Sequence, residues 1–124
     1  MNAFRDIARW ARHALERALP PRKVRFVEGD SLPTSLPWRD VVIAREGEEE
    51  WCLGLRCPCG CGETIELMLL REAEPRWTAN VDLSGRPTVH PSIWRQKGCR
   101  SHFWIHKGRV QWVDEYRRGT SVDL

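Results

Sequence analysis

Apolar residues recur along this chain at two periods, and the change of period divides it. Over residues 2–19, Phe4, Ile7, Ala8, Ala11, Leu15 and Ala18 keep the spacing of one helical face, Asn2 can serve as N-cap, and Pro20-Pro21 ends the run. The other face carries Arg5, Arg9, Arg12 and Arg17, so a basic amphipathic helix is predicted. Its apolar face is expected to pack on the rest of the domain, with a membrane surface or a partner as the alternative. From residue 23 the period becomes two. A short strand is predicted over 23–28 and a loop over 29–37. A hairpin spans 39–45 and 51–56 about Glu46-Gly47-Glu48, where Trp51, Leu53 and Leu55 alternate up to Cys57. Ile65, Leu67 and Leu69 share one face of a strand over 64–70. Trp77, Ala79, Val81 and Leu83 do the same over 76–83, before Ser84-Gly85-Arg86-Pro87 turns the chain into 88–93. In the last hairpin His102, Trp104 and His106 face one way and Phe103 and Ile105 the other. Lys107-Gly108 makes its turn, and 110–113 returns. The expected fold is mostly β (α+β), a small antiparallel sheet of hairpins over 22–113. The helix of 1–21 precedes it, and a polar tail, 114–124, is expected to fray.

Four of the five cysteines interrupt this pattern in two places, Cys57-Pro58-Cys59-Gly60-Cys61-Gly62 and Cys99-Arg100-Ser101-His102. Zinc takes four tetrahedral Cys or His ligands, commonly from two short clusters on separate turns. The glycines let neighbouring sulfurs converge, and an extended Cys-x-Cys-x-Cys segment would also put them on one face. An odd number of cysteines, with alternate ones too close to bridge comfortably, argues against a disulfide framework. Zinc bound between two β-turns is therefore expected, with Cys57, Cys59, Cys61, Cys99 and His102 competing for four positions. Four protein ligands would make the site closed and structural. Three plus a water would make it hydrolytic.

At 124 residues there is room for one domain, and 30% charged residues describe a soluble chain. No segment is apolar enough to span a bilayer, and the Arg-dotted first twenty residues hold no signal core, so a reducing cytoplasm is the expected setting for free thiols. The net charge of +3 is too small to imply nucleic acid, but it is uneven. No acidic residue falls between Leu83 and Val113, where Arg86, Arg95, Lys97, Arg100, Lys107 and Arg109 lie. Most of the seven tryptophans are expected in the core.

The cysteine signatures, together with Trp77, Pro91-Ser92-Ile93, Phe103-Trp104-Ile105, Gly108 and Trp112, resemble a domain-of-unknown-function family of small bacterial proteins. Its members are encoded beside ubiquitin-like proteins and their E1-like and E2-like enzymes, in operons linked to phage defence. The resemblance covers residues 24–112, and its motif positions here are Cys57, Cys59, Cys61, Ser92, Cys99, Ser101 and His102. It implies a zinc-binding protein of a ubiquitin-like pathway, with the ubiquitin-like protein and its conjugating enzymes as partners. A peptidase that processes or deconjugates the ubiquitin-like protein is the implied role.

The residues themselves allow three schemes. In the leading one, zinc holds a water whose pKa it lowers toward about 7, and Glu63 takes the proton. Each added thiolate, however, makes zinc a poorer Lewis acid. In the second, zinc is structural, and Ser92, Ser101 or a spare thiol attacks with help from His102, His106 or His90. Strand alternation points Ser101 away from His102, which leaves Ser92 the freer nucleophile. The third scheme has no catalysis. A zinc ribbon binds a protein partner, or less readily a nucleic acid, through Trp94, Trp104 and Arg100.

Overall fold

The computed structural model describes residues 2–113, with side chains from residue 7 onward except 8 and 9, so the tail expected over 114–124 and the Asn2 cap lie outside the described residues. The period-two segments form eight strands in two four-stranded sheets. The first sheet runs in chain order through β1 (Val24–Glu28), β2 (Val41–Glu46), β3 (Glu49–Arg56) and β4 (Thr64–Met68). The second runs through β5 (Thr78–Val81), β6 (Pro87–Trp94), β7 (His102–His106) and β8 (Arg109–Trp112). The domain is mostly β, as the alternation predicts, but the hairpins divide between two sheets. The first edge is also parallel. β1 pairs with β2 from Val24↔Val41 to Glu28↔Arg45, because residues 29–40 carry the chain back to its starting end before β2 begins.

The two sheets meet face to face. Ile43, Leu53, Leu55, Ile65, Leu67 and Leu69 of the first join Val89, Ile93, Phe103, Ile105, Val110 and Trp112 of the second in one continuous buried core. Each large apolar side chain moved out of water there contributes about 1.5–3 kcal/mol. Phe103 meets Trp112 edge to face at 5.5 Å, an arrangement aromatic quadrupoles favour. β2 and β3 are also covered on their outer side, where Leu32 and Leu36 of the 29–40 connection close over Gly54. A Cβ on Gly54 would come 2.5 Å from Leu32 Cδ1, so a larger residue there would push that cover aside.

The helix α1 (Asn2–Ala18) stops before Pro20, close to the expected end. Its orientation reverses the expected one. Ile7 is 64% and Leu15 52% exposed, and Ala11 and Ala18 are exposed as well, so this apolar face looks outward. The inward face is polar. The Glu16 carboxylate accepts hydrogen bonds from Arg22 Nη1 at 2.7 Å and from the Val110 amide at 2.8 Å. Arg39 Nη2 approaches the same carboxylate at 3.4 Å. Arg109 donates to the carbonyls of Glu16 and Leu19, two of the unsatisfied acceptors at the helix C-terminus. The Arg12 guanidinium lies 4.3 Å over the Trp112 ring. A nearly buried carboxylate with three donors fixes the rotation of the helix more strongly than a stripe of small apolar residues does.

Candidate functional site

The β3–β4 and β6–β7 connections lie in different sheets, yet their tips meet. The first makes a tight turn, with Gly60 N–H donating to the Cys57 carbonyl at 3.2 Å and Cys57 N–H to Glu63 at 2.9 Å. Gly60 and Gly62 take φ near +89° and +88°, where side chains are disfavoured, and this folds Cys57, Cys59 and Cys61 inward. The second connection is closed at its base by Arg95 N–H to the Ser101 carbonyl, 2.7 Å. Gly98 (φ 71°) and Arg100 (φ 56°) turn it so that Cys99 meets the other three.

The sulfurs of Cys57, Cys59, Cys61 and Cys99 all lie within 4.8 Å of one another. Cys57 Sγ is 3.4 Å from that of Cys59 and 3.6 Å from that of Cys99. A tetrahedral thiolate shell with metal–sulfur bonds of about 2.3 Å sets its sulfurs about 3.8 Å apart. The donor set and its dimensions fit a metal ion. The thiols also perturb one another. Burial pushes Cys57 up to about 12, and burial raises Cys61 as well. Cys99 goes the other way. Burial would raise it, but hydrogen bonds from the Ser101 hydroxyl and amide, and from Cys57 and Cys59, bring it down to about 6. Arg95 supplies a cation beside them. Burial alone would lower its pKa, but the Cys99 and Cys57 thiols raise it above the ordinary value.

His102 lies outside the four-thiol cluster. The Cys99-x-x-His102 spacing suggested a shared ion, but His102 opens β7, and its imidazole turns to the outer face of the second sheet. There His102 Nε2 lies 2.9 Å from Ser92 Oγ. The pairing of β6 with β7 accounts for this meeting. Val89 stands opposite Ile105 and Ile93 opposite Phe103, so His90, Pro91 and Ser92 together face the single residue Trp104. Such a bulge lifts its residues off the ladder and re-aims their side chains. Trp94, directly across from His102, stacks on the imidazole at 4.9 Å with the planes 8° apart. Trp77 Nε1–H donates to the Ser92 carbonyl at 3.3 Å and fixes the bulge from the other side.

A serine hydroxyl on an imidazole nitrogen is the arrangement of an activated nucleophile. A family model described as "Bacterial ubiquitination-like system serine protease (BubE)" matches residues 28–113, a span that contains both the thiols and the Ser92–His102 pair. The chain belongs to the BubE family. No curated protein matches the chain, and no solved structure does. The BubE match begins after α1, so the Glu16 clamp involves a segment outside it. The ubiquitination-like setting implied by the motif resemblance agrees with the family description.

The other expected site residues are dispersed. The Glu63 side chain is 64% exposed, and its carboxylate stands 3.8 Å from Arg95. Ser101 is buried with its hydroxyl 3.3 Å from Cys99 Sγ, on the thiol side of the loop. Trp104 meets His90 edge-on at 6.2 Å, and Arg100 is exposed. Cys52 is buried on β3, away from the other thiols, and burial pushes it up to about 11. Sequence reasoning missed Arg95 and Trp77. The first had a signal in its place beside Cys99 within the acid-free stretch. The second stood among the residues of the family resemblance, but its role was not legible, because its partner is a backbone carbonyl in another hairpin.

Proposed function

We propose that this BubE protein is a serine peptidase that processes or deconjugates the ubiquitin-like protein of its system, with Ser92 as nucleophile and His102 as general base. The observation that carries the reading is the 2.9 Å contact between Ser92 Oγ and His102 Nε2 beneath the Trp94 ring. With the imidazole proton on Nδ1, the Ser92 hydroxyl donates to Nε2. Attack of Oγ on the scissile carbonyl passes that proton to His102, which returns it to the departing amine. Water then enters by the same route and releases the acyl group from Ser92. The Trp94 face supports the imidazolium formed in each half-reaction, since a ring face attracts a cation stacked on it.

Cys57, Cys59, Cys61 and Cys99 would hold zinc, which favours four thiolates in a tetrahedral shell. When bound, zinc supplies cohesion, tying the two sheets together at the loop that ends in His102. Four thiolates leave no open position for a hydrolytic water, which supports the nucleophilic scheme over the zinc–water one. The test is to incubate the wild-type and Ser92→Ala chains with the ubiquitin-like protein, both as a precursor and as a conjugate. A product shortened or released by the wild-type chain alone is expected. Equal products from both chains would refute the assignment.

A further inference from the structure

A cavity of about 310 Å³ opens beside His102, with Arg12, Cys99, Arg100, Ser101 and Trp112 among its other lining residues. No carboxylate lines it among the described residues. Several other guanidiniums are set on carboxylates. Arg22 and Arg39 are set on Glu16, Arg25 on Asp40, Arg86 on Asp82 and Arg95 on Glu63. Arg12 and Arg100 have no such partner among the described residues. Arg12 Nε is buried without a hydrogen bond while its guanidinium lies over the Trp112 ring. A buried donor left unsatisfied and a planar fork held in place are costly in the free protein and well suited to a carboxylate, which takes two parallel N–H bonds.

We propose that the peptide segment cleaved at Ser92 carries a carboxylate, which Arg100 and Arg12 bind next to His102. This rests on the reading of Ser92 and His102 as the catalytic pair, and it names the chemistry of the substrate. The carboxylate has two sources. It belongs either to an Asp or Glu near the scissile bond or to the free C-terminus of a short tail that the enzyme removes.

The full chain is incubated with two libraries of random 14-residue peptides, one with free and one with amidated C-termini, and the products are identified by mass spectrometry. For the best peptides, kcat/KM is then compared with their Asn/Gln or amidated counterparts. A preference of about 10- to 100-fold for the carboxylate is expected, as two charge-assisted hydrogen bonds would give. Asp or Glu at a fixed distance from the cut in both libraries identifies the side-chain source. Cleavage near the end of free peptides only identifies the terminal one. Arg100 is exposed, so Arg100→Gln should fold normally and lose the preference, and Arg100→Glu should move it toward Lys or Arg. Cleavage abolished by Ser92→Ala but indifferent to carboxylates, or a preference unmoved by both Arg100→Gln and Arg12→Gln, overturns this inference alone. Cleavage that survives Ser92→Ala, or none by the wild-type chain, overturns the catalytic reading and this inference together.

Discussion

The β3–β4 and β6–β7 connections both bring cysteine to the thiol cluster, but they are built for different work. The first contributes Cys57, Cys59 and Cys61 within five residues and no group of the Ser92–His102 pair. The second contributes only Cys99, and the strands at its two ends carry Ser92 and His102. On the proposed reading one loop is a clamp and the other is the clamped object, with the Ser92–His102 pair at its base. This division explains why a small sandwich would use a metal. Strand pairing alone holds β6 and β7 in register but leaves their connecting loop free to open, and three sulfurs supplied by the opposite sheet would close it through Cys99. Disturbing the clamp should therefore cost stability first, and disturbing the base should cost chemistry first.

The largest effect is expected at the clamp. Cys57 is buried, so Cys57→Ser removes a ligand and leaves a hydroxyl in an apolar site. Structural zinc contributes on the order of 10 kcal/mol, comparable with the whole stability of a domain this size. The variant should lose its metal by elemental analysis and unfold at ambient temperature, and chelation should unfold the wild-type chain likewise. A cooperative, metal-free Cys57→Ser protein with wild-type unfolding temperature would remove the clamp from the account.

Next comes the base of the second loop. Ser92→Ala removes one hydroxyl on the outer face of the sheet, so stability should move by no more than about 1 kcal/mol. Activity should fall by roughly 1,000-fold or more, as when a nucleophile of this kind is deleted. Calorimetry and turnover measured on the same preparation test the pair of statements. A variant as inactive as expected but also unfolded would show that the two loops are not separable.

The sequence carried one of these loops better than the other. Clustered cysteines announce a metal site because the ligands are rare and local, and alternation located the strands because burial on one face demands it. The Ser92–His102 pair was a candidate without a geometry. It depends on three residues of β6 facing one of β7, and no local pattern announces that bulge. His102 stood among five candidates for four positions because Cys-x-x-His spacing is one-dimensional, whereas a residue at the first position of a strand takes the face its register assigns. One signal was within reach. Ile93 and Phe103 are both inward positions, so pairing the two strands puts Trp94 across from His102, with Ser92 two residues earlier on the same face. The helix misled in the opposite way. Its periodicity was correct and its orientation was not, because Glu16 finds Arg22, Arg39 and Val110 only after the chain has folded.

A matched pair of substitutions compares the loops at equal strain. Gly60 and Gly98 both have positive φ with open space around the position of a Cβ, so alanine at either adds backbone strain of about 1–2 kcal/mol and no clash. Both variants should be less stable by that amount in denaturant titrations with metal bound. Only Gly98→Ala should also slow turnover, because relaxing its strain moves the segment between Cys99 and His102. Equal slowing by both would mean that the clamp transmits to the site as readily as the loop that carries it.

The smallest effect separates support of the imidazole from scaffolding. Trp94 is 56% exposed and contributes little to the core, so Trp94→Ala should lower stability by less than about 1 kcal/mol. Its ring lies parallel to His102 at 4.9 Å, where it limits rotation of the imidazole and would stabilise the charge that His102 gains as the proposed general base. Removing it should lower kcat by about 10-fold, equivalent to about 1.4 kcal/mol in the transition state, with KM for a peptide substrate nearly unchanged. Trp94→Phe keeps a ring face and should restore most of the rate. If alanine and phenylalanine at this position raised KM and left kcat alone, Trp94 would be a surface that grips substrate, and the stack on His102 would be incidental to the chemistry.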